Sequence, residues 1–181
     1  MERISIIGST GAGKSTLAER LAGVLGCDYI DLDALNWGPN WTPAPVDILR
    51  RRVAEALAGV RWVVAGNYSS VRAVVWPRAD TLIWLDYSLL HIYPRLFRRT
   101  MRRILLRESL WGGNRESFRT QFAGRDSLFL YAATSYNRHR RETAADLARP
   151  EYAHLHVIHF RQPSQTDQWL KELSLTFCED L

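Results

Sequence analysis

Arg3-Ile4-Ser5-Ile6-Ile7-Gly8-Ser9-Thr10-Gly11-Ala12-Gly13-Lys14-Ser15-Thr16 passes from a short β-branched apolar run, through three glycines, into Lys-Ser-Thr. Residues 8 to 15 fit the spacing G-x-x-x-x-G-K-[ST] without a mismatch. The apolar run supplies a strand in front, and Thr16-Leu17-Ala18-Glu19-Arg20-Leu21 opens an amphipathic helix behind. Gly8, Gly11 and Gly13 permit positive φ, so backbone N–H groups from Gly8 through Ser9, Thr10, Gly11, Ala12 and Gly13 can face phosphate oxygens. The helix start, with Thr16 in its first turn, adds the positive end of its dipole at the same point. Lys14 is long enough to reach β- and γ-phosphates, and the Ser15 hydroxyl can ligate Mg²⁺. An ordinary tight connection also uses glycine before a helix, but it does not call for Lys-Ser in register. The expectation is a nucleoside triphosphate site.

Outward from that stretch the chain alternates strands and helices. A helix is expected from Lys14 to Leu25, closed by Gly26. A second strand, Asp28 to Asp31, leads into Leu32-Asp33 and a loop rich in tryptophan and proline, residues 37–45. A helix from Val46 to Leu57 and a strand from Arg61 to Ala65 follow, the strand broken by Gly66-Asn67. Residues 69–76 form a short irregular or helical piece ended by Pro77. Then come a strand Thr81 to Leu85, a basic helix Leu89 to Leu106, a loop at residues 110–114 and a helix Leu128 to Leu147. A fifth strand, Leu155 to Phe160, and a final helix after Pro163-Ser164 complete the pattern. Apolar strands alternating with helices imply an α/β fold, a parallel sheet covered on both faces with right-handed crossovers. Ligand is expected beyond the carboxyl ends of the strands, where Asp31, Asp33, Gly66 and Asp86 fall. With no repeat, low-complexity segment or linker, residues 1–181 read as one domain.

The net charge of +5 is distributed unevenly. Lys14 and Lys171 are the only lysines, and twelve of 22 arginines lie between Arg95 and Arg141, opposed there by Glu108, Glu116 and Asp126. Guanidinium forks bind phosphate in two-point contacts, whether the phosphate belongs to a nucleotide or to a nucleic acid. An arginine-rich genome would inflate the same count. No apolar run approaches a membrane span, Met1-Glu2-Arg3 leads straight into a strand, and Cys27 and Cys178 stand apart, so a cytoplasmic protein with two buried thiols is expected.

Asp31 and Asp33 at the exit of the second strand suit Mg²⁺ binding through water or acceptance of a hydroxyl proton; two aspartates there also make a turn or helix cap. Asp86 has the same two readings. The third strand ends without a carboxylate, which shifts weight to Asp31 and Asp33. Gly66 allows close approach of a ligand, and Arg72 is spaced to meet an anionic acceptor. Trp37, Trp41 and Tyr68 suit either stacking on a flat substrate or packing under a small cap. On a strand, His154 and His156 share one face and His159 takes the other, so they are read as structural.

The phosphate loop, Asp31-Leu32-Asp33 and the arginines after the fourth strand resemble the small P-loop kinases of the nucleoside monophosphate and shikimate kinase group. With Ala34-Leu35-Asn36-Trp37, Gly66-Asn67-Tyr68, Ile83-Trp84-Leu85-Asp86-Tyr87 and Asn114-Arg115-Glu116, the chain is similar to the adenylate-kinase-like "DNA topology modulation protein" family over about residues 3 to 175. The resemblance implies a three-layer P-loop NTPase fold with a five-stranded sheet in order 2-3-1-4-5. It also implies an acceptor-binding region at about 34–60 and a helical lid at about 107–127. Arg98, Arg102, Arg115 and Arg119 are then candidates to neutralise transferring phosphate, Asp31 supports Mg²⁺ and Asp33 contacts the acceptor. Residues 66–72 depart from the Asp-Gly-x-Pro-Arg of adenylate kinases.

The favoured function is an ATP- and Mg²⁺-dependent kinase acting on a nucleotide or small hydroxylated acceptor, with Lys14, Asp33, Arg115 and Arg119 catalytic and Gly66 and Arg72 on the acceptor. The alternatives are a nucleic-acid-binding ATPase or polynucleotide kinase using the Arg95–Arg141 stretch, and a nucleotide-dependent switch.

Overall fold

In the computed structural model, which describes residues 1–122 and 127–179 apart from the side chains of residues 119, 120 and 177–179, the motif strand β1 (Arg3–Gly8) is buried from Ile4 onward. Its apolar run is continuous because it lies at the centre of a parallel sheet, covered above and below. Among the described residues that sheet has five strands in the order β2-β3-β1-β4-β5, with β2 Asp28–Asp31, β3 Trp62–Ala65, β4 Thr81–Leu85 and β5 His156–Phe160. All the pairings are parallel, and Gly8 at the end of β1 stands opposite Leu85 at the end of β4. The expected architecture and strand order are those observed.

Two apolar cores flank the sheet. On one side α1 (Lys14–Leu25) and α8 (Pro163–Glu179) meet β1, β3 and β4 through Leu17, Leu21, Ile4, Ile6, Ile83 and Leu170. On the other side α3 (Val46–Ala56) and α4 (Ser69–Val75) bring Leu49, Val53 and Val71 against Ile7, Val64 and Leu82. The helices α5 (Leu89–Leu105), α6 (Phe118–Phe122) and α7 (Leu128–Leu147) occupy the long connection from β4 to β5. Gly26 closes α1 in the left-handed conformation, with its N–H on the Ala22 carbonyl. Cys27 is a free, half-buried thiol against the first core; the Cys178 side chain lies outside the described residues.

Two short helices add to the elements read from the sequence. Leu32–Asn36, between the second strand and the loop at 37–45, is a short helix, α2. The Asp31 carboxylate caps it by accepting from the Asp33 N–H at 2.9 Å, and Leu32 is buried beneath. Between residues 114 and 128, where the sequence offers no clear period, α6 forms because Phe118 and Phe122 stack with one another and Phe122 meets Phe97 and Phe129. That apolar surface comes from α5 and α7, so local pattern could not reveal it. No described helix is long and apolar enough to cross a membrane.

Candidate active site

The three glycines of the loop adopt the positive φ their positions demand: 152° at Gly8, 79° at Gly11 and 96° at Gly13. They also seat the loop. A Cβ on Gly8 would stand 2.6 Å from the Leu85 carbonyl oxygen, and one on Gly11 would stand 3.1 Å from Leu96 Cβ. The loop is thereby pressed between β4 and α5. The Ala12 N–H donates to Ser9 O at 3.2 Å, and Lys14 Nζ bridges the loop to the same oxygen at 3.0 Å. Above it Arg95 reaches the Ala12 carbonyl at 3.5 Å and lies over the Tyr87 ring.

Burial lowers the Lys14 pKa to about 8; Asp33 and Asp31 pull it up and Arg99 pushes it down. The charges of Asp31 at the end of β2, Asp33 of α2 and Arg99 of α5 therefore bear on one ammonium. Burial, with the Asp31 charge beside it, raises the Tyr29 pKa to about 12. The Asp31 carboxyl is pushed above the usual range by burial and by Asp33. Of the two readings of Asp31, the cap of α2 is the one observed. The Tyr68 hydroxyl donates to Asp33 Oδ1 and accepts from buried Asn36 at 3.4 Å. Burial and the Asp33 charge push the Tyr68 pKa upward, so it stays a donor that fixes one carboxylate oxygen.

Two residues serve the fold more directly than expected. Gly66, at φ 150°, has no room on its side-chain face for a ligand, because a Cβ would stand 2.6 Å from Leu32 Cβ. The missing side chain admits Leu32. Arg72 does not present a free fork to the ligand edge. It is buried, ion-paired with Asp146 of α7, bonded to Asn67 Oδ1 at 3.3 Å and stacked over Trp76. Asp86 neither caps α5, whose N-cap is Ser88, nor stands free for a metal. Both its oxygens are taken, Oδ1 by Arg140 Nε at 2.7 Å and Oδ2 by Arg140 Nη2 at 2.9 Å and His159 Nε2 at 3.1 Å.

Among the described residues, the arginines that act on Lys14 and its loop, Arg99 and Arg95, lie on α5. Ile92, Leu96 and Thr100 form the buried stripe of that helix. Arg95, Arg99 and Arg103, each one position before Leu96, Thr100 and the next turn, make the row alongside. Arg99 is half-buried with its Nε unpartnered, and burial together with Arg103 holds its pKa below the usual value. The charges acting on it include Glu116 and Asp33. Arg103 pairs with Glu116 at 2.9 Å. Arg98 is exposed, and Arg102 turns outward to Glu108. Arg115 is exposed, and the Arg119 side chain lies outside the described residues. Arg99 was legible in principle, through its spacing of four from Arg95 and Arg103. His139 of α7 contacts its own helix, at Tyr131 and Glu142. Trp37 and Trp41 pack edge to face at 5.8 Å in the loop after α2.

The chain matches no family model and no curated protein. Among solved structures it is similar to a gluconokinase from Sinorhizobium meliloti 1021, with a TM-score of 0.52 and 19% identity over 98% of this chain and 92% of that one. It is similar to a shikimate kinase from Acinetobacter baumannii, with a TM-score of 0.51 and 17% identity over 100% and 96%. It is also similar to a sugar kinase from Janibacter sp. HTCC2649, with a TM-score of 0.52 and 19% identity over 99% and 95%. The fold is the three-layer α/β P-loop kinase fold. At such identities the likeness is one of fold.

Proposed function

We propose that this protein is a P-loop kinase that transfers the γ-phosphoryl group of ATP to a nucleotide or small hydroxylated acceptor. The observation that carries it is the fully formed phosphate loop at the end of β1, with Gly8, Gly11 and Gly13 at positive φ and Lys14 Nζ folded over Ser9 O. Similarity of fold to a gluconokinase, a shikimate kinase and a sugar kinase supports the same class of reaction. Acceptor-binding and lid roles for about residues 34–60 and 107–127, and a cytoplasmic location, belong to this proposal.

The N–H groups of the loop and of the first turn of α1 hold the phosphates, and Lys14 bonds the transferring group. Ser15 at the start of α1 and Asp31 at the end of β2 would supply the hydroxyl and carboxylate of a Mg²⁺ site. Among the described residues no three His, Cys, Asp or Glu side chains gather, so the remaining ligands would be phosphate oxygens and water. When bound, Mg²⁺ would neutralise charge on those oxygens. Tyr68 pins Asp33 Oδ1 and leaves Oδ2 to receive the proton of the acceptor hydroxyl. As that proton leaves, the acceptor oxygen bonds to the γ-phosphorus and the bond to the β–γ bridging oxygen breaks. Arg99, with an unpartnered buried N–H, is placed to take up the charge on the transferring oxygens. Arg115 and Arg119 are proposed to supplement it, and Arg72 to hold the acceptor edge through Asn67.

Labelled ATP and Mg²⁺ incubated with a panel of nucleosides, nucleotides and polyols test the proposal. Transfer to at least one acceptor is expected, lost in Lys14→Ala. Asp33→Asn should lose transfer but keep the thermal stabilisation by an unreactive ATP analogue. Undiminished transfer in Lys14→Ala would overturn it, as would strongly salt-dependent DNA binding without transfer to any small acceptor.

A further inference from the structure

Asn114 lies between two segments that the catalytic reading keeps apart. It is buried, and every polar atom of its amide is used. Nδ2 donates to Gly38 O at 2.8 Å and to Trp111 O at 2.6 Å, and Oδ1 accepts from the Trp41 N–H at 2.9 Å. The turn at residues 110–114 is tight, with the Leu110 N–H on Asn114 O at 2.7 Å. It rests so closely on the loop after α2 that a Cβ on Gly112 would stand 2.6 Å from the Gly38 carbonyl carbon. That loop continues the helix whose first turn carries Asp33. On the other side Glu116, two residues past Asn114, is buried and pairs with Arg103, one helical turn beyond Arg99. Arg103 also lies over the Trp111 ring at 5.9 Å.

We infer that Asn114 is a positioning residue, clasping the loop at residues 38–41 to the Arg99–Arg103 row so that phosphates held at Lys14 and Arg99 steady the loop that follows Asp33. A buried side chain with all its hydrogen bonds made couples the segments it joins, because opening either one strands donors and acceptors of both. An anion on Arg99 would fix the α5 row, and Glu116 and Asn114 would carry that order to Gly38 and Trp41. The inference rests on nucleotide binding at Lys14, but needs no acceptor and no turnover.

Hydrogen exchange with and without the unreactive analogue AMP-PNP tests it, since the Trp41 amide is itself a clasp bond. In the wild type, AMP-PNP should slow exchange over residues 37–43 by about fivefold or more, although the phosphate loop is a separate segment. In Asn114→Ala that slowing should vanish while AMP-PNP affinity stays within about threefold of wild type. Asn114→Asp, which keeps the acceptor for Trp41 and loses both donated bonds, should fall between. Gly112→Ala reaches the same contact independently, through its lost room against Gly38, and should behave like Asn114→Ala. Protection of residues 37–43 that survives both Asn114→Ala and Gly112→Ala overturns the inference, as does wild-type protein that binds AMP-PNP without protecting them. Failure of the wild type to bind AMP-PNP overturns the nucleotide site itself, and the clasp's role with it.

Discussion

Lys14 is an ammonium that burial destabilises in the free protein, with a pKa lowered to about 8 against 10.5 for an open lysine. Below pH 8 both folded and unfolded chains carry the proton, and the cost of burying the charge is borne in full. Between pH 8 and 10.5 the unfolded chain holds more proton than the folded one, so this group's contribution to stability improves as pH rises. Bound phosphates reverse the balance by favouring the charged form. Nucleotide affinity should therefore fall roughly tenfold per pH unit above about pH 8, with uptake of about one proton. Calorimetry in two buffers of different ionisation enthalpy measures that uptake; none at pH 9 would contradict the lowered value. Lys14→Met should raise the melting temperature at pH 7 while abolishing stabilisation by nucleotide. Gly66 is a residue-scale test of a different kind. Gly66→Ala meets Leu32 and a positive φ, so a loss of about 1–3 kcal/mol in chemical denaturation is expected, with nucleotide affinity preserved.

At the scale of the element, α5 explains why arginine count alone misleads. A helix shows the same face every three or four residues, so Arg95, Arg99 and Arg103 follow the buried Ile92–Leu96–Thr100 stripe, while Arg98 and Arg102 stand on the next row outward. The first row meets the phosphate loop and Glu116; Arg102 is spent on Glu108 in solvent. Arg99→Ala should lower kcat by about 10²–10³-fold with a smaller change in nucleotide affinity, and Arg99→Lys should recover part of it. Arg98→Ala, one position away, should stay within about twofold of wild type. Single-turnover measurements against nucleotide titrations separate these outcomes, and equal effects at 98 and 99 would remove the distinction between the rows.

Across the whole molecule, the long β4-to-β5 connection is tied back to the sheet by Asp86. Its carboxylate, 2% exposed, joins the end of β4 to Arg140 of α7 and to His159 of β5, whose ring stacks on Trp84 at 4.3 Å. A second tie, Arg72 with Asp146, joins α4 to the far end of α7. These pairs tie α7 to the end of β4 and to α4. Asp86→Asn leaves Arg140 and His159 with a weaker partner and should cost about 2–3 kcal/mol, or roughly 5–10 °C in melting temperature. The shift caused by AMP-PNP should persist, because the phosphate loop is untouched; an unchanged melting temperature would mean the tie contributes nothing.

The α/β class, the strands and longer helices, and the glycine-rich loop followed from the sequence itself, because each depends on neighbours close along the chain: β-branched runs, helical period, glycines before Lys-Ser. The strand order came with the resemblance, and the sheet shows it. Asp31 and Asp33 were placed at the carboxyl end of the second strand by the same local logic. What the sequence could not determine was partnership across the fold. Arg72 is equally suited to an acceptor or to Asp146, and Gly66 to a ligand or to Leu32; only the packing of α4, α7 and α2 decides. Likewise Arg99, Glu116 and Asn114 become site neighbours through segments distant in sequence, where charge, burial and hydrogen bonding are set by three-dimensional proximity rather than by spacing along the chain.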